Sequence, residues 1–340
     1  MRALLIRRAL TPWRLALAGL SLLLVAVLSL WLIPSNTYIF LPDRARAVDP
    51  LVSVQGGHDA KTGGFYLVDI FVRKATWIER LWPGIHEGAE LVPKSSVLPK
   101  GVSETQRVQA DRREMTRSQS VAAAVALRAA GYNVVAKPIG VLIEQVAGDV
   151  PAAGKLQPTD VVIKVDGKPV VTPAQLRAAI SSHHPGDSVV ITLRRGSELK
   201  QVTVRTVSDP QHSGRAIIGV IVSQAAFIKL PLRVKINAGN IGGPSAGLAF
   251  ALDILDQLKD VDHGQRIAAT GQIELDGTVS PIGGVRQKTV GVRRSGIHIF
   301  LVPAGDNATE AKRYAKGVRI VPVHSFRQAL QFLATLAKKR

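Results

Sequence analysis

The chain has 340 residues, 46% of them apolar, enough for two folded domains beside a membrane segment. It contains no cysteine, which excludes disulfides, cysteine nucleophiles and thiolate metal sites. The net charge of +19 is spread along the chain and is not gathered into one basic helix or an aromatic-interleaved platform. That distribution argues against nucleic acid and fits a surface facing anionic lipid or cell wall.

Arg2, Arg7, Arg8 and Arg14 precede Leu15–Ile33, an uncharged apolar run closed by Pro34. As a helix the run spans about 28 Å, close to the hydrocarbon thickness of a bilayer. It is longer than the apolar part of a cleaved signal peptide and no A-x-A site follows it, so an uncleaved anchor is expected. The arginines before it, against the mixed charges of Asp43, Arg44, Arg46 and Asp49 after it, orient residues 1–14 to the cytoplasm and the remainder outside.

Beyond the anchor, LVSV and FYLVDIFV read as strands separated by the turn-rich GGHDAKTGG. Trp77–Gly101, with Trp82, Pro83, Pro93 and Pro99, reads as irregular packing, and Asp111–Ala130 as a helix ended by Gly131. From Val134 to Val207 short strands and tight turns take over. Val141–Val146 is a strand, Asp149–Leu156 a turn with a short helix, and Val161–Val165 a strand turned by Asp166-Gly167. Thr172 caps a helix starting at Pro173, and Val189–Leu193 with Leu199–Val207 forms a hairpin. From about Gly214 strands and helices alternate. Ile297–Val302 and Val318–Val323 read as strands, Asn307 as the cap of the helix between them, and Ser325 as the cap of a last helix from Phe326 to about Leu336.

One serine stands out. Ser245, in GNIGGPSAGLAFALDILDQL, sits where alternation (Leu232, Val234, Ile236) changes to helical spacing (Leu248, Ala249, Leu252, Leu255, Leu258). A serine there is commonly an N-cap, but unpaired N–H groups and the positive end of the helix dipole also suit an oxyanion. No histidine is near in sequence, and Lys288, in SPIGGVRQKTVGV, is the candidate base. A lysine base needs its pKa brought from about 10.4 to roughly 7 to 8. Val285, Val290 and Val292 could provide the apolar surroundings if Arg286, Arg293 and Arg294 point away; a solvated helix lysine is the alternative. GPSAG is also a G-x-S-x-G, and the order Ser245, Asp306, His324 fits an α/β-hydrolase triad, although no series of βα units precedes it. The histidines show no metal-ligand spacing, and His183-His184 precedes Pro185-Gly186 in a loop, so neither a metal nor a cofactor is expected.

GPSAG, the Thr270-Gly271 pair and PIGGVRQK together resemble the proteolytic domain of Lon-type serine proteases. The resemblance implies Ser245 as nucleophile, Lys288 as general base, Thr270 as a supporting hydroxyl, and the backbone of Ser245 and Ala246 as oxyanion site. Gly242 stands where that family commonly has aspartate, and Gln272 where it has glutamate. KPIGVLI, PAAGKLQPTDVVIKVDGKPV and the helix after Thr172 resemble a bacterial PDZ domain. This implies a peptide added beside the strand starting at Val141, with Leu142 alongside and a terminal carboxylate held near Ile139 and Gly140; an internal peptide is the other possibility.

The expected architecture is an α+β and α/β multidomain chain similar to bacterial membrane-anchored proteins that combine PDZ and Lon-type domains. It has a transmembrane helix at 15–33, a PDZ-like β domain at 131–208 and a Lon-type α/β domain at 209–340. The resemblance to Lon-type domains implies strands and a helix ahead of the serine loop, and too little chain lies between the PDZ-like region and Gly239 to provide them, so within the segment 34–130 the stretch Leu51–Ala130 is expected to supply them, with the PDZ-like domain inserted. No G-x-x-x-x-G-K-[ST] occurs, since Gln287 stands where its second glycine belongs. The expected function is an ATP-independent, membrane-anchored serine endopeptidase acting on flexible or unfolded polypeptides. Its expected partners are a peptide ligand in the PDZ-like groove, lipid around the anchor and, from the resemblance, further copies of the chain. A catalytically silent, membrane-anchored PDZ adaptor is the competing class.

Overall fold

Residues 12–58, 63–98, 104–209, 214–239 and 241–336 are described by a computed structural model. Arg2, Arg7, Arg8, the middle of GGHDAKTGG, Pro99, Gly101 and Asn240 lie outside the described residues. Helix α1 (Pro12–Leu32) has a mean hydropathy of 2.5 from Trp13 onward, and none of that span is buried against protein. It runs into β1 (Pro34–Pro42), followed by β2 (Gly64–Leu67), β3 (Ile70–Thr76), the short helix α2 (Trp77–Leu81), β4 (Glu90–Pro93) and the long helix α3 (Glu104–Ala129).

FYLVDIFV is not one strand. β2 ends at Leu67 and β3 begins at Ile70, and Asp69 between them turns its carboxylate back to accept from the Ile70 N–H. β3 joins β1 and β4 in an antiparallel sheet, whereas β2 belongs to another sheet. The bend leaves Asp69 at the junction.

The small β domain follows: β5 (Val135–Val146), β6 (Val161–Val165), α4 (Pro173–Ser181), β7 (Ser188–Arg195), β8 (Glu198–Arg205) and β9 (Val220–Lys229). A capping box between Thr172 and Gln175 starts α4, while Asp149–Leu156 forms turns and not the expected short helix. The sheet order is β8-β7-β6-β5-β9. β9 pairs with β5 along its whole length, from Val220 opposite Val146 to Lys229 opposite Val135, so this sheet extends past the expected boundary at residue 208. Ile218, Val220 and Val222 pack into the same core as Val141, Ile143 and Val189.

The remaining elements are α5 (Gly247–Lys259), β10 (Arg266–Ala269), β11 (Gln272–Ile273), β12 (Val279–Ser280), α6 (Val285–Arg294), β13 (Ile299–Pro303), α7 (Asp306–Tyr314), β14 (Arg319–Val323) and α8 (Phe326–Leu333). Four parallel strands in the order β2-β10-β13-β14, with the short antiparallel strand Arg46–Ala47 at the outer edge of β2, make the five-stranded central sheet, with Phe65 opposite Ile267 and Ala268 opposite Phe300. A parallel sheet needs both faces covered, and Phe65, Ile267, Phe300 and Leu301 are buried accordingly. Val52–Val54 pairs with Val234–Ile236, and α3 lies along α5. The alanines of VAAAVAL let those two helices approach closely, and Ala122, Ala123 and Ala126 share a core with Leu248, Ala249 and Leu252. Residues on both sides of the small β domain thus bury one common core.

Arg117 of α3 ties the two cores together. Its guanidinium donates to Glu144 at 3.3 Å, to Ser223 Oγ at 2.7 Å and to the Gln224 carbonyl at 3.1 Å, and pairs with Glu274 at 3.5 Å. Glu114 beside it is pushed up to about 7, chiefly by burial and then by Asp111 and Glu144. Arg117→Met leaves these carboxylates without their cation. It is expected to cost about 2 kcal/mol, read as a lower thermal midpoint and as faster proteolytic nicking in the connections at 130–134 and 230–233.

Candidate active site

Gly243, with φ +77, turns the chain into a short 3-10 turn (Pro244–Ala246) that continues directly as α5. Ser245 therefore stands in the first turn of a helix, where backbone N–H groups have no carbonyl four residues earlier to bond. The turn is fastened from outside. The Ser245 carbonyl accepts from the Gly271 N–H at 2.8 Å and from Thr270 Oγ1 at 3.1 Å, Ser118 Oγ donates to the Pro244 carbonyl at 3.0 Å, and the Gly243 N–H bonds the Asp111 carbonyl at 3.2 Å.

Lys288 lies in the first turn of α6, which the left-handed Gly284 introduces. Its Nζ is 2.6 Å from Ser245 Oγ and 3.2 Å from Thr270 Oγ1, so the three side chains expected to act together do meet. Lys288 is only 2% exposed, and Val285, Val290 and Val292 around it are buried. Burial brings its pKa down to about 8, against the opposing pull of the Asp69 carboxylate. The neighbouring arginines are drawn off. Arg293 and Arg294 pair with Glu87, and Arg286 lies over the Tyr314 ring near Glu310. The loop before α6 is held by Asn307, which does not cap α7. Gly305 takes that position, and the Asn307 amide brackets the N–H and carbonyl of Ile282.

Ser245 and Lys288 open on a cleft of about 500 Å³. Phe40, Ile70, Val72 and Val108 line it with apolar surface, while Asp69, Arg107, Asp111 and Arg112 supply charge. These residues come from β1, β3, α3 and the β2–β3 bend, and their sequence surroundings single out none of them. A Cβ at Gly242 would lie 3.1 Å from the Asp111 Cβ, so the space for an aspartate at 242 is already used by a carboxylate from α3. Gln272 donates from Nε2 to both Glu144 and Glu274. A glutamate there would set three carboxylates against one another. Asp306 and His324 are exposed and do not line the cleft, so the alternative triad is not assembled.

The expected peptide edge is corrected. Val141 and Leu142 pair with Val162 and Val161 of β6 on one side and with Gln224 and Ser223 of β9 on the other, leaving no free edge. Gly140 lies within β5, its carbonyl accepting from the Gln224 side chain, and Ile139 precedes it in the same strand, so neither forms a carboxylate loop. Among the described residues the outer strands of this sheet are β8 and β9, and the edge beside α4 is that of β9. Ile221–Gln224, with Pro173 and Arg177 of α4 and residues 272–281 of the α/β domain, border a second cleft of about 940 Å³.

Residues 215–334 match the Lon protease (S16) C-terminal proteolytic domain, and residues 107–206 match the PDZ domain family. These ranges do not follow the cores, since α3 packs with the α/β domain and β9 with the small β domain. Lon protease 1 of Sorangium cellulosum (strain So ce56) is 35% identical over 108 residues, 29% of this chain. The Lon protease of Neorickettsia sennetsu (strain ATCC VR-367 / Miyayama) is 36% identical over 111 residues, 32% of this chain. The match spans 13% of each relative's length. The solved PDZ domain of an SdrC-like protein from Listeria monocytogenes is 28% identical and covers 25% of this chain and 87% of that one, with a TM-score of 0.23. The chain carries a Lon-type serine protease domain, of the S16 C-terminal proteolytic kind, together with a PDZ domain.

Proposed function

We propose that the chain is a membrane-anchored serine endopeptidase in which Lys288 is the base for Ser245. The observation that carries this reading is the buried lysine amine 2.6 Å from a serine hydroxyl at a helix N-terminus. As the neutral amine, Lys288 takes the Ser245 proton while Oγ attacks a peptide carbonyl. The N–H groups of Ser245 and Ala246 receive the developing oxyanion, and Thr270 steers the amine through its own hydroxyl. The lysine ammonium then protonates the leaving amine, and water hydrolyses the acyl-enzyme with the same group as base.

Residues 34–130 and those following β9 act as one proteolytic unit, a division supported by their common core. α1 anchors it with residues 1–14 in the cytoplasm, a reading supported by its length, hydropathy and flanking arginines. Catalysis runs without ATP on unfolded or flexible polypeptides, since the sequence has no phosphate-binding loop of the Walker type. The PDZ domain takes a peptide strand along β9, whose edge is open and faces α4.

The test is hydrolysis of unfolded casein by the full chain in detergent, without nucleotide. Wild type and His324→Ala should cleave, and Ser245→Ala should lose about 10³-fold or more. Cleavage by Ser245→Ala at the wild-type rate would refute the mechanism; peptide binding with no hydrolysis by wild type would favour an adaptor.

A further inference from the structure

The segment after β3 exposes apolar surface where a soluble domain would hide it. Leu81, Trp82, Pro83, Gly84 and Ile85 are all exposed, Leu81 and Trp82 at 68% each, and none is charged. Trp77, on the same short helix, is 40% exposed, with the Arg80 guanidinium 5.1 Å from its ring centre. The loop is rigidly presented. The Glu79 carboxylate is buried and accepts from Arg73 on β3, from the Thr76 N–H and hydroxyl before the loop, and from the His86 ring after it. One carboxylate thus clamps both ends, so LWPGI projects on a braced platform and does not fold back onto the core.

Its position identifies its surroundings. α2 packs against the end of α1, and the Trp77 N–H donates to the Ile33 carbonyl at 3.3 Å. The loop therefore begins where the chain leaves the apolar helix. Tryptophan and arginine side by side, with leucine and isoleucine beyond them, match the layered chemistry of a bilayer interface, apolar below and polar above.

We propose that Trp77 and the loop Leu81–Ile85 form a second membrane contact, dipping into the interfacial layer of the bilayer that α1 enters and fixing the protease domain against the lipid surface. This rests on the membrane reading of α1, and the experiment separates the two. The chain has four tryptophans, Trp13, Trp31, Trp77 and Trp82. A W13F/W31F variant of the full chain reports the loop alone, and a W77F/W82F variant reports α1 alone. Each is reconstituted into phosphatidylcholine and phosphatidylglycerol vesicles carrying lipid brominated near the headgroups.

The expected result is blue-shifted, bromine-quenched emission from both variants, with Leu81→Glu in the first background returning the emission toward that of water-exposed tryptophan. Quenching of α1 with none of the loop would overturn the proposal and leave the anchor standing. Quenching of neither would remove both. Blue-shifted but unquenched loop emission that grows with protein density would overturn it in favour of contact with a second copy.

Discussion

Lys288→Met is expected to lower kcat/KM on an unfolded polypeptide by about 10²- to 10⁴-fold, the range for losing a positioned base. Methionine keeps an unbranched stem, with sulfur in place of one methylene, and removes the amine that lies 2.6 Å from Ser245 Oγ. With Lys288 as the proposed base, the wild-type rate is expected to follow the fraction of neutral lysine. With a pKa of about 8, kcat/KM rises roughly tenfold per pH unit below that value and levels above it. Asp69→Asn removes the charge that favours the ammonium, so the rising limb moves to lower pH. A flat profile between about pH 6 and 9 would contradict the assignment of the base.

Lys288→Met should also stabilise the fold. Below about pH 8 the lysine is charged in both the folded and the unfolded chain, and the burial penalty, about 3 kcal/mol, is fully present. Between about 8 and its ordinary 10.5 the unfolded chain holds a proton that the folded chain has lost, so stability rises with pH. Lys288→Met should therefore raise the thermal midpoint at pH 7, with the gain shrinking as pH approaches 10.5. Loss of activity with gain of stability is the mark of a functional buried charge.

Gly247→Ala should damage both fold and rate. Gly247 opens α5 with ordinary helical dihedrals, so its backbone has no need of glycine. The constraint is space. An added Cβ would come within 2.7 Å of Ser118 Oγ and 3.1 Å of Ile273 Cγ2, and Ser118 Oγ is the group that donates to the Pro244 carbonyl. Relief requires moving Ser118 or the helix start, and either displaces Ser245. The expected cost is about 1–3 kcal/mol in stability, with a rate loss approaching ~10²-fold for a displacement near 1 Å. Adding Ser118→Gly removes the closest clash and should restore part of the stability. Unchanged melting and kinetics for Gly247→Ala would mean the serine turn is not held as tightly as its hydrogen bonds imply.

What the sequence made legible follows the range of the interactions involved. Ser245, Thr270 and Lys288 were readable because each lies in a short glycine-rich motif whose backbone demands are local, as at Gly243 and Gly284. Thr172 and Ser325 were readable as caps because a cap is settled within a few residues. The walls of the cleft were not. Phe40, Asp69, Arg107 and Asp111 reach Ser245 through pairing of β2 with β10 and packing of α3 on α5, contacts that span well over a hundred residues.

The edge of the small β domain beside α4 is hidden from the sequence for a related reason. KPIGVLI looks like an edge strand with a binding loop, yet Val141 and Leu142 are hydrogen-bonded into the sheet between β6 and β9, partners that lie about 20 and 80 residues away. β9 instead leaves Ile221 exposed at 56%, and no local feature says that it joins a sheet begun some eighty residues earlier. Asn307 stands where a cap is expected before a helical pattern, but its amide bonds across space to the N–H and carbonyl of Ile282.

The most direct measurement is covalent trapping of the full chain with a fluorophosphonate, followed by peptide mapping in a mass spectrometer. A single adduct on Ser245, formed at a rate that rises with pH through about 8 and nearly absent in Lys288→Met, is the predicted result. An adduct on another residue, or labelling of Ser245 at an unchanged rate in Lys288→Met, would contradict a serine nucleophile activated by a buried lysine.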